Sequence, residues 1–324
     1  MSRRAVAFAL VSVVSLAATL LSSAVFAQTR FGFALVGDTP YFPFEEQAFA
    51  SMLATLDAEP LAFVVHVGDL KAARTPCDDA LFMERKRLFD ASRHPFVFIP
   101  GDNEWTDCHA SGTDPIERLA ALRRIFFAGD ESLGERRISL TRQSSDPRFS
   151  DYRENVRWIY GGVLFVALNV PGSNNNLGRT AEMDAEHRRR MAAVLDWLDE
   201  SMQLAERRQV PGVVILIHAD PGFDGKAQRR RGAPDGYTEL RNALRTHARE
   251  FGRPVLLGHG DGHVFRNDHP LRDAASGVPL ANFTRVEMPG APAAEAVIVN
   301  VDPTSPAVFS VRPPESQVPF PNNP

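Results

Sequence analysis

The stretch FVFIPGDNEWTDCHA, residues 96–110, sets an apolar run directly against a cluster of polar donors. Phe96, Val97, Phe98 and Ile99 have the length and composition of a fully buried strand. Pro100-Gly101 breaks the run, and Asp102, Asn103, Glu104, Asp107 and His109 follow at once. A buried strand ending in so many oxygen and nitrogen donors predicts a ligand site at its carboxyl end.

Four more apolar runs end in a similar way. Phe31 to Val36 leads into Gly37-Asp38-Thr39-Pro40, and Leu61 to Val67 into Gly68-Asp69-Leu70-Lys71. Val213 to Ile217 leads into His218-Ala219-Asp220, and Val255 to Leu257 into Gly258-His259-Gly260-Asp261-Gly262-His263. Helical patterns occupy 44–56, 78–91 and 115–127, the last opened by Asp114 as an N-cap. Strands separated by helices imply right-handed crossovers and a parallel sheet, in which ligands gather where the strands end. One Gly-Asp after a strand is ordinary turn chemistry. Five polar strand ends on one edge are different: their carboxylates would repel and raise one another's pKa unless a cation lay among them. A mixed Asp and His shell suits zinc, iron or manganese. Two cations bridged by one Asp form the clamp used in phosphoryl displacement.

The remaining sequence frames this edge. Residues 129–157 lose periodicity, are rich in Arg, Ser and Asp, and read as loop. Val163 to Val170 reads as a strand. Residues 179–208 read as one long helix, with Met191, Val194, Leu195, Leu198 and Met202 forming a core-packing stripe. Beyond Gly262, the β-rich segments 283–288, 296–301 and 308–312 lack intervening helices and suggest an antiparallel sheet. Residues 28–312 are expected to form one domain, followed by a proline-rich tail over 313–324.

The chain has 324 residues and a formal charge of −4, which argues against bulk nucleic-acid binding. The triplets Arg188–Arg190 and Arg229–Arg231 read as solvated surface. Arg3 and Arg4 precede an apolar run and a small-residue stretch ending at Ala27. That order fits a secretory signal peptide over 1–27, which implies a periplasmic or extracellular protein. An uncleaved membrane anchor is the alternative, because the run approaches the length of a spanning helix. Cys77 and Cys108 are the only cysteines, a disulfide candidate in an exported chain, with two separate thiols as the alternative.

The order of the polar blocks resembles the calcineurin-like metallophosphoesterase superfamily. Its usual pattern is Asp-x-His, Gly-Asp-x-x-Asp, Gly-Asn-His-Asp/Glu, a lone His, and Gly-His-x-His. The resemblance covers residues 31–266 and implies an α/β fold, a four-layer α/β/β/α sandwich with a dinuclear metal site. Carried over by position, it implies that Asp38 binds the first metal and Asp69 bridges both, with Asp102 and His218 as further ligands. Asp261 would serve the second metal and His263 the first. An alternative alignment through Gly258-His259 makes His259 a ligand; otherwise His259 is a candidate proton donor. Trp105 is expected to pack, and Glu104 to orient a neighbouring His. A Cys77–Cys108 bridge would tie two metal loops together.

This sequence departs from the pattern in several places. Pro40 occupies the position of the first block's His, and Ala72 that of the second block's last Asp. Asn103 stands where the family has the His that assists the leaving group; an amide can donate a hydrogen bond but cannot transfer a proton. Asp102 and Asp261 make the shell richer in oxygen, tilting the expected divalent pair from zinc or iron toward manganese, magnesium or calcium. Asn169 and Asn174–Asn176 read either as substrate-facing or as a plain turn, and His66 as a core histidine. The function implied is metal-dependent hydrolysis of a small phosphorylated substrate, phosphomonoester or phosphodiester, with Asn103 and His259 as candidate catalytic residues. Its rival is a degenerate member that binds metal or ligand without turnover.

Overall fold

A computed structural model describes residues 29–223, 225 and 232–317. The signal-peptide segment, the triplet Arg229–Arg231 and the end of the tail from Val318 lie outside the described residues.

The first half follows the helix-strand alternation. The elements are β1 (Phe31–Val36), α1 (Pro43–Asp57), β2 (Leu61–His66), α2 (Asp79–Asp90), β3 (Phe96–Phe98) and α3 (Pro115–Phe126). Asp78 and Asp114 cap α2 and α3 by accepting from Leu81 N and Ile116 N. β1, β2 and β3 pair in parallel, as the crossovers require. The region read as loop holds β4 (Thr141–Arg142) and β5 (Val156–Tyr160). β6 (Val163–Ala167) pairs antiparallel with β5. A single turn, α4 (Gly172–Asn175), precedes the long helix α5 (Ala181–Arg208), which Thr180 caps.

β7 (Val213–Leu216), α6 (Thr238–Phe251) and β8 (Val255–His259) follow. α6 was not apparent from the pattern, although Leu240, Leu244, Ala248 and Phe251 are its buried face. The last strands are β9 (Arg266–Asp268), β10 (Phe283–Glu287), β11 (Val297–Val301) and β12 (Phe309–Arg312). They do not form one antiparallel sheet. β10 pairs parallel with β8, whereas β11 crosses to the other sheet and pairs antiparallel with β1. Of the tail, Glu315–Gln317 form a 3-10 turn that Ser316 fastens to Glu295.

Two sheets result, one ordered β12-β11-β1-β2-β3 and the other β4-β5-β6-β7-β8-β10-β9. The two-residue period of a strand explains how they stack. Phe33 and Leu35 of β1 point inward and pack with Phe63, Phe165, Val214, Leu216 and Leu256 between the sheets. Ala34 and Val36 point outward beneath Phe49, Phe82, Phe89 and Leu122 of α1, α2 and α3. On the far side, Leu164, Val166, Val213 and Ile215 pack under Met191, Val194, Leu198 and Leu240 of α5 and α6. The layers are therefore α/β/β/α. The carboxyl ends of β1, β2, β3, β7 and β8 meet at one edge.

Candidate metal centre

Strained turns deliver the functional side chains to that edge. Asp38, Asp69, Asp261 and His263 have φ of 55°, 61°, 74° and 56°. This left-handed region costs a non-glycine residue on the order of 1–3 kcal/mol, and such residues cluster where function demands them. The turns pack so closely that several glycines exclude a side chain. A Cβ on Gly260 would lie 2.2 Å from Asp38 Oδ2, and one on Gly172 would lie 2.6 Å from Asp261 Oδ1.

Of the six residues expected as ligands, five fall in two donor groups, and His263 lies at their margin beside Asp38. His218 is fully buried and sets its Nδ1 against the Val67 carbonyl at 2.8 Å. A carbonyl can only accept, so Nδ1 carries the proton and Nε2 faces the carboxylates. Nε2 lies 3.0 Å from Asp102 Oδ1, 3.3 Å from Asp69 Oδ1 and 3.9 Å from Asp261 Oδ1. His263 likewise places Nδ1 against the Ala291 carbonyl at 3.0 Å, and its Nε2 is 3.6 Å from Asp38 Oδ1. Two groups emerge, Asp38/Asp69/His218 and Asp102/His218/Asp261, each with donor atoms within 4.8 Å of one another.

The electrostatics are those of too much negative charge in too little water. Burial, only partly offset by His218, raises Asp38 and raises Asp69 well above the usual carboxylate range. Burial and Asp102 push Asp261 up to about 7. Asp102 stays below its ordinary value because hydrogen bonding and charge from His218 outweigh burial. Burial would also lower His218, but Asp69, Asp102 and Asp38 hold it well above an ordinary histidine. Lys71 is fully buried nearby, and burial lowers it despite Glu104 and Asp69.

The opening stretch divides its labour. Asp102 enters the cluster, and Asn103 gives both its backbone N–H and its amide to Asp69. Glu104 orients no histidine. Its Oε1 accepts the backbone N–H groups of Asp69 and Gly101 and so locks two ligand loops together. Asp107 turns away to Ser173 Oγ at 2.7 Å and Arg179 at 3.0 Å. His109 bonds the Thr106 carbonyl. Trp105 is buried beneath the Arg190 guanidinium, 5.2 Å from the ring centre. A Cys77–Cys108 disulfide joins the segments following Asp69 and Asp102.

His259 is not brought into the cluster. Its fully buried ring bonds Gly260 O through Nδ1, while Nε2 faces Glu287 at 4.0 Å with no hydrogen-bond partner. Burial pulls it down to about 4. His66 is the satisfied core histidine expected, with Nε2 2.8 Å from Thr39 O. The asparagine run is neither substrate-facing nor an ordinary turn. Ser173, Asn174, Asn175 and Asn176 have φ of 49°, 56°, 55° and 63°, a left-handed turn held by the buried Arg190, Glu186 and Tyr237. Arg190 therefore belongs to the interior, not to a solvated triplet. Sequence reasoning also missed Tyr41, whose hydroxyl reaches Asp69 Oδ2 and His263 Nε2, each at 2.9 Å. The available signal was a tyrosine three residues after Asp38.

No family model and no curated protein match this sequence. Solved structures do resemble its fold. PhoD superposes with a TM-score of 0.55 at 14% identity, over 86% of this chain and 65% of PhoD. The chain thus spans about two thirds of PhoD's length. A dimetal phosphatase from Danio rerio superposes with a TM-score of 0.52 at 14% identity, over 83% of this chain and 95% of that one. The fold is that of PhoD and this dimetal phosphatase, with the four layers that the motif order implied. Within it, this chain carries Asp and His clusters suited to divalent cations.

Proposed function

We propose that this protein is an exported, dinuclear metal-dependent phosphoesterase acting on small phosphorylated substrates. The observation that carries the reading is the orientation of Asp69. Its Oδ1 faces His218, beside Asp102, and its Oδ2 faces Tyr41, beside His263 and Asp38. One carboxylate thus turns its two oxygens toward different sets of polar atoms, which supports a bridging role. The donor set fits the cations on two further grounds. Both histidines have their Nδ1 tied to carbonyls, leaving Nε2 for a metal. The raised carboxylates are a charge excess that dications would relieve.

Asp38, Asp69 and His263 would hold one cation, and Asp69, Asp102, His218 and Asp261 the other. This oxygen-rich set favours manganese or magnesium. When bound, the pair supplies Lewis acidity toward the phosphoryl oxygens and the attacking water. Asn103 holds Asp69 in its bridging orientation through two hydrogen bonds. It cannot donate a proton to the leaving group, and the geometry offers no contact by which His259 would replace it. Export rests on the order of charged, apolar and small residues before Gln28.

The test is metal analysis with a broad phosphomonoester and phosphodiester screen, on wild type and Asp69→Asn. Loss of a shared ligand should deplete both cations and abolish hydrolysis together. Two equivalents and normal turnover in Asp69→Asn would refute the bridge. Metal binding by wild type without turnover on any ester would favour a non-catalytic binding protein, the reading that the substitutions at Pro40 and Asn103 support.

A further inference from the structure

The donor group containing Asp38 and His263 is one ligand poorer than the motif pattern, because Pro40 stands where a histidine would coordinate. We propose that the phenol oxygen of Tyr41 supplies the missing donor to the cation held by Asp38, Asp69 and His263. The assignment rests on the dinuclear reading above.

Distances carry the argument. Tyr41 Oη is 2.9 Å from Asp69 Oδ2, 2.9 Å from His263 Nε2 and 3.5 Å from Asp38 Oδ1. The fourth known separation, His263 Nε2 to Asp38 Oδ1, is 3.6 Å. Two donors bound about 2.1 Å from one cation lie about 3.0 Å apart at a right angle and about 3.4 Å apart at a tetrahedral one. These four observed separations fall close to this range, and Tyr41 Oη is common to three of them.

The alternative is an ordinary packed tyrosine whose one hydroxyl proton goes to Asp69. Such a bond needs only that pair, whereas the hydroxyl here faces Asp69, His263 and Asp38 together.

The local fold also fixes Tyr41 in place. Its backbone N–H donates to Glu45 Oε2 at 2.6 Å, a buried carboxylate in the first turn of α1. Its ring stands edge-on to His263, with centroids 5.4 Å apart and planes at 68°. The side chain is therefore held toward the carboxylates from two directions.

The experiment is a calorimetric titration of Mn²⁺ into chelator-stripped full chain, for wild type, Tyr41→Phe and Tyr41→His, with thermal melts of each metal-free protein. Wild type should take two equivalents. Tyr41→Phe should weaken one of them by more than about tenfold and leave the other unchanged. Tyr41→His should recover the weakened site and shift its preference toward Zn²⁺, since imidazole suits zinc. Wild-type affinity at both sites in Tyr41→Phe, or tighter binding there, would overturn the assignment while leaving the dinuclear reading intact. Fewer than two equivalents in wild type would overturn the dinuclear reading and this assignment with it. A loss of affinity shared by both variants, with a lowered melting temperature in each, would mark Tyr41 as packing and overturn its role as donor.

Discussion

Replacing Gly172 and Gly260 with alanine, one at a time, should separate the two cation sites. A Cβ on Gly172 would sit 2.6 Å from Asp261 Oδ1 and 2.8 Å from Asp102 Oδ2, where ordinary contact begins at 3.4 Å. Asp261 must then retreat by about 0.8 Å, whereas a coordination bond tolerates displacement of only about 0.2 Å. A Cβ on Gly260 would press harder still, 2.2 Å from Asp38 Oδ2. Gly172→Ala should thus weaken the cation held with Asp102, His218 and Asp261, and Gly260→Ala the one held with Asp38 and His263. A loss of about 10- to 100-fold at the affected site corresponds to about 1.4–2.8 kcal/mol. Overpacking should cost each metal-free variant about 1–3 kcal/mol of folding stability, so melts must accompany the titrations. Gly129→Ala is the control, because nothing lies within 4 Å of its added carbon. The assay is Mn²⁺ calorimetry on stripped protein. If either site variant binds two equivalents at wild-type affinity, the carboxylates are not where the cations sit, and the account of the cluster fails.

Three further outcomes are expected. Burial pushes Asp261 up to about 7 and, with Asp220, Glu287 up to about 8, so the folded chain holds these protons more tightly than the unfolded one. Metal-free protein should then lose stability as pH rises from about 4 through 8, while Mn²⁺ affinity climbs over the same window; flat affinity between pH 5 and 8 would contradict this. Because Asn103 cannot protonate a leaving group, aryl phosphates should be hydrolysed far faster than alkyl ones, and Asn103→His should narrow the gap by up to about 10²-fold. A flat leaving-group series in wild type would remove that account. Non-reducing mass analysis should find Cys77 joined to Cys108, and a double serine variant should lose about 3–4 kcal/mol of stability given the 31-residue separation. Two alkylatable thiols in native protein would exclude the bond.

Much of the architecture was legible because parallel strands buried on both faces read as unbroken apolar runs, and Gly-Asp marks where the first three stop. The proposed ligands were legible for the same reason: every one follows such a run. What stayed hidden shares a different physics. β5, with the sequence VRWIY, lies in an arginine-rich stretch whose charges mask its buried Val156 and Trp158. α6 carries Arg241, Arg245 and Arg249 on its wet side, and its thin apolar stripe is easily overlooked. The alternation along β10, β11 and β12 shows which residues face inward but not which strand lies alongside, so their split between two sheets was not readable. Tyr41 was missed because it lies outside the motif's register. The left-handed turn over Ser173–Asn176 was missed because its conformation is imposed by Arg190, Glu186 and Tyr237, all distant in sequence or placed one helix later.

The pairing of β1 with β11 sets a timetable. Phe31 lies opposite Val301 and Leu35 opposite Val297, so the strand that ends just before Asp38 gains its second neighbour only once residues 297–301 have been made. A polypeptide emerging amino end first would carry β1 with one edge bare, a surface open to pairing with other chains. Interrupted products stopping short of Val297 would contain every proposed ligand and still lack the frame that holds Asp38 and Asp69 in register. Metal capture would then mark the finished molecule, and a carboxyl-terminal deletion through β11 should abolish it without touching a single donor.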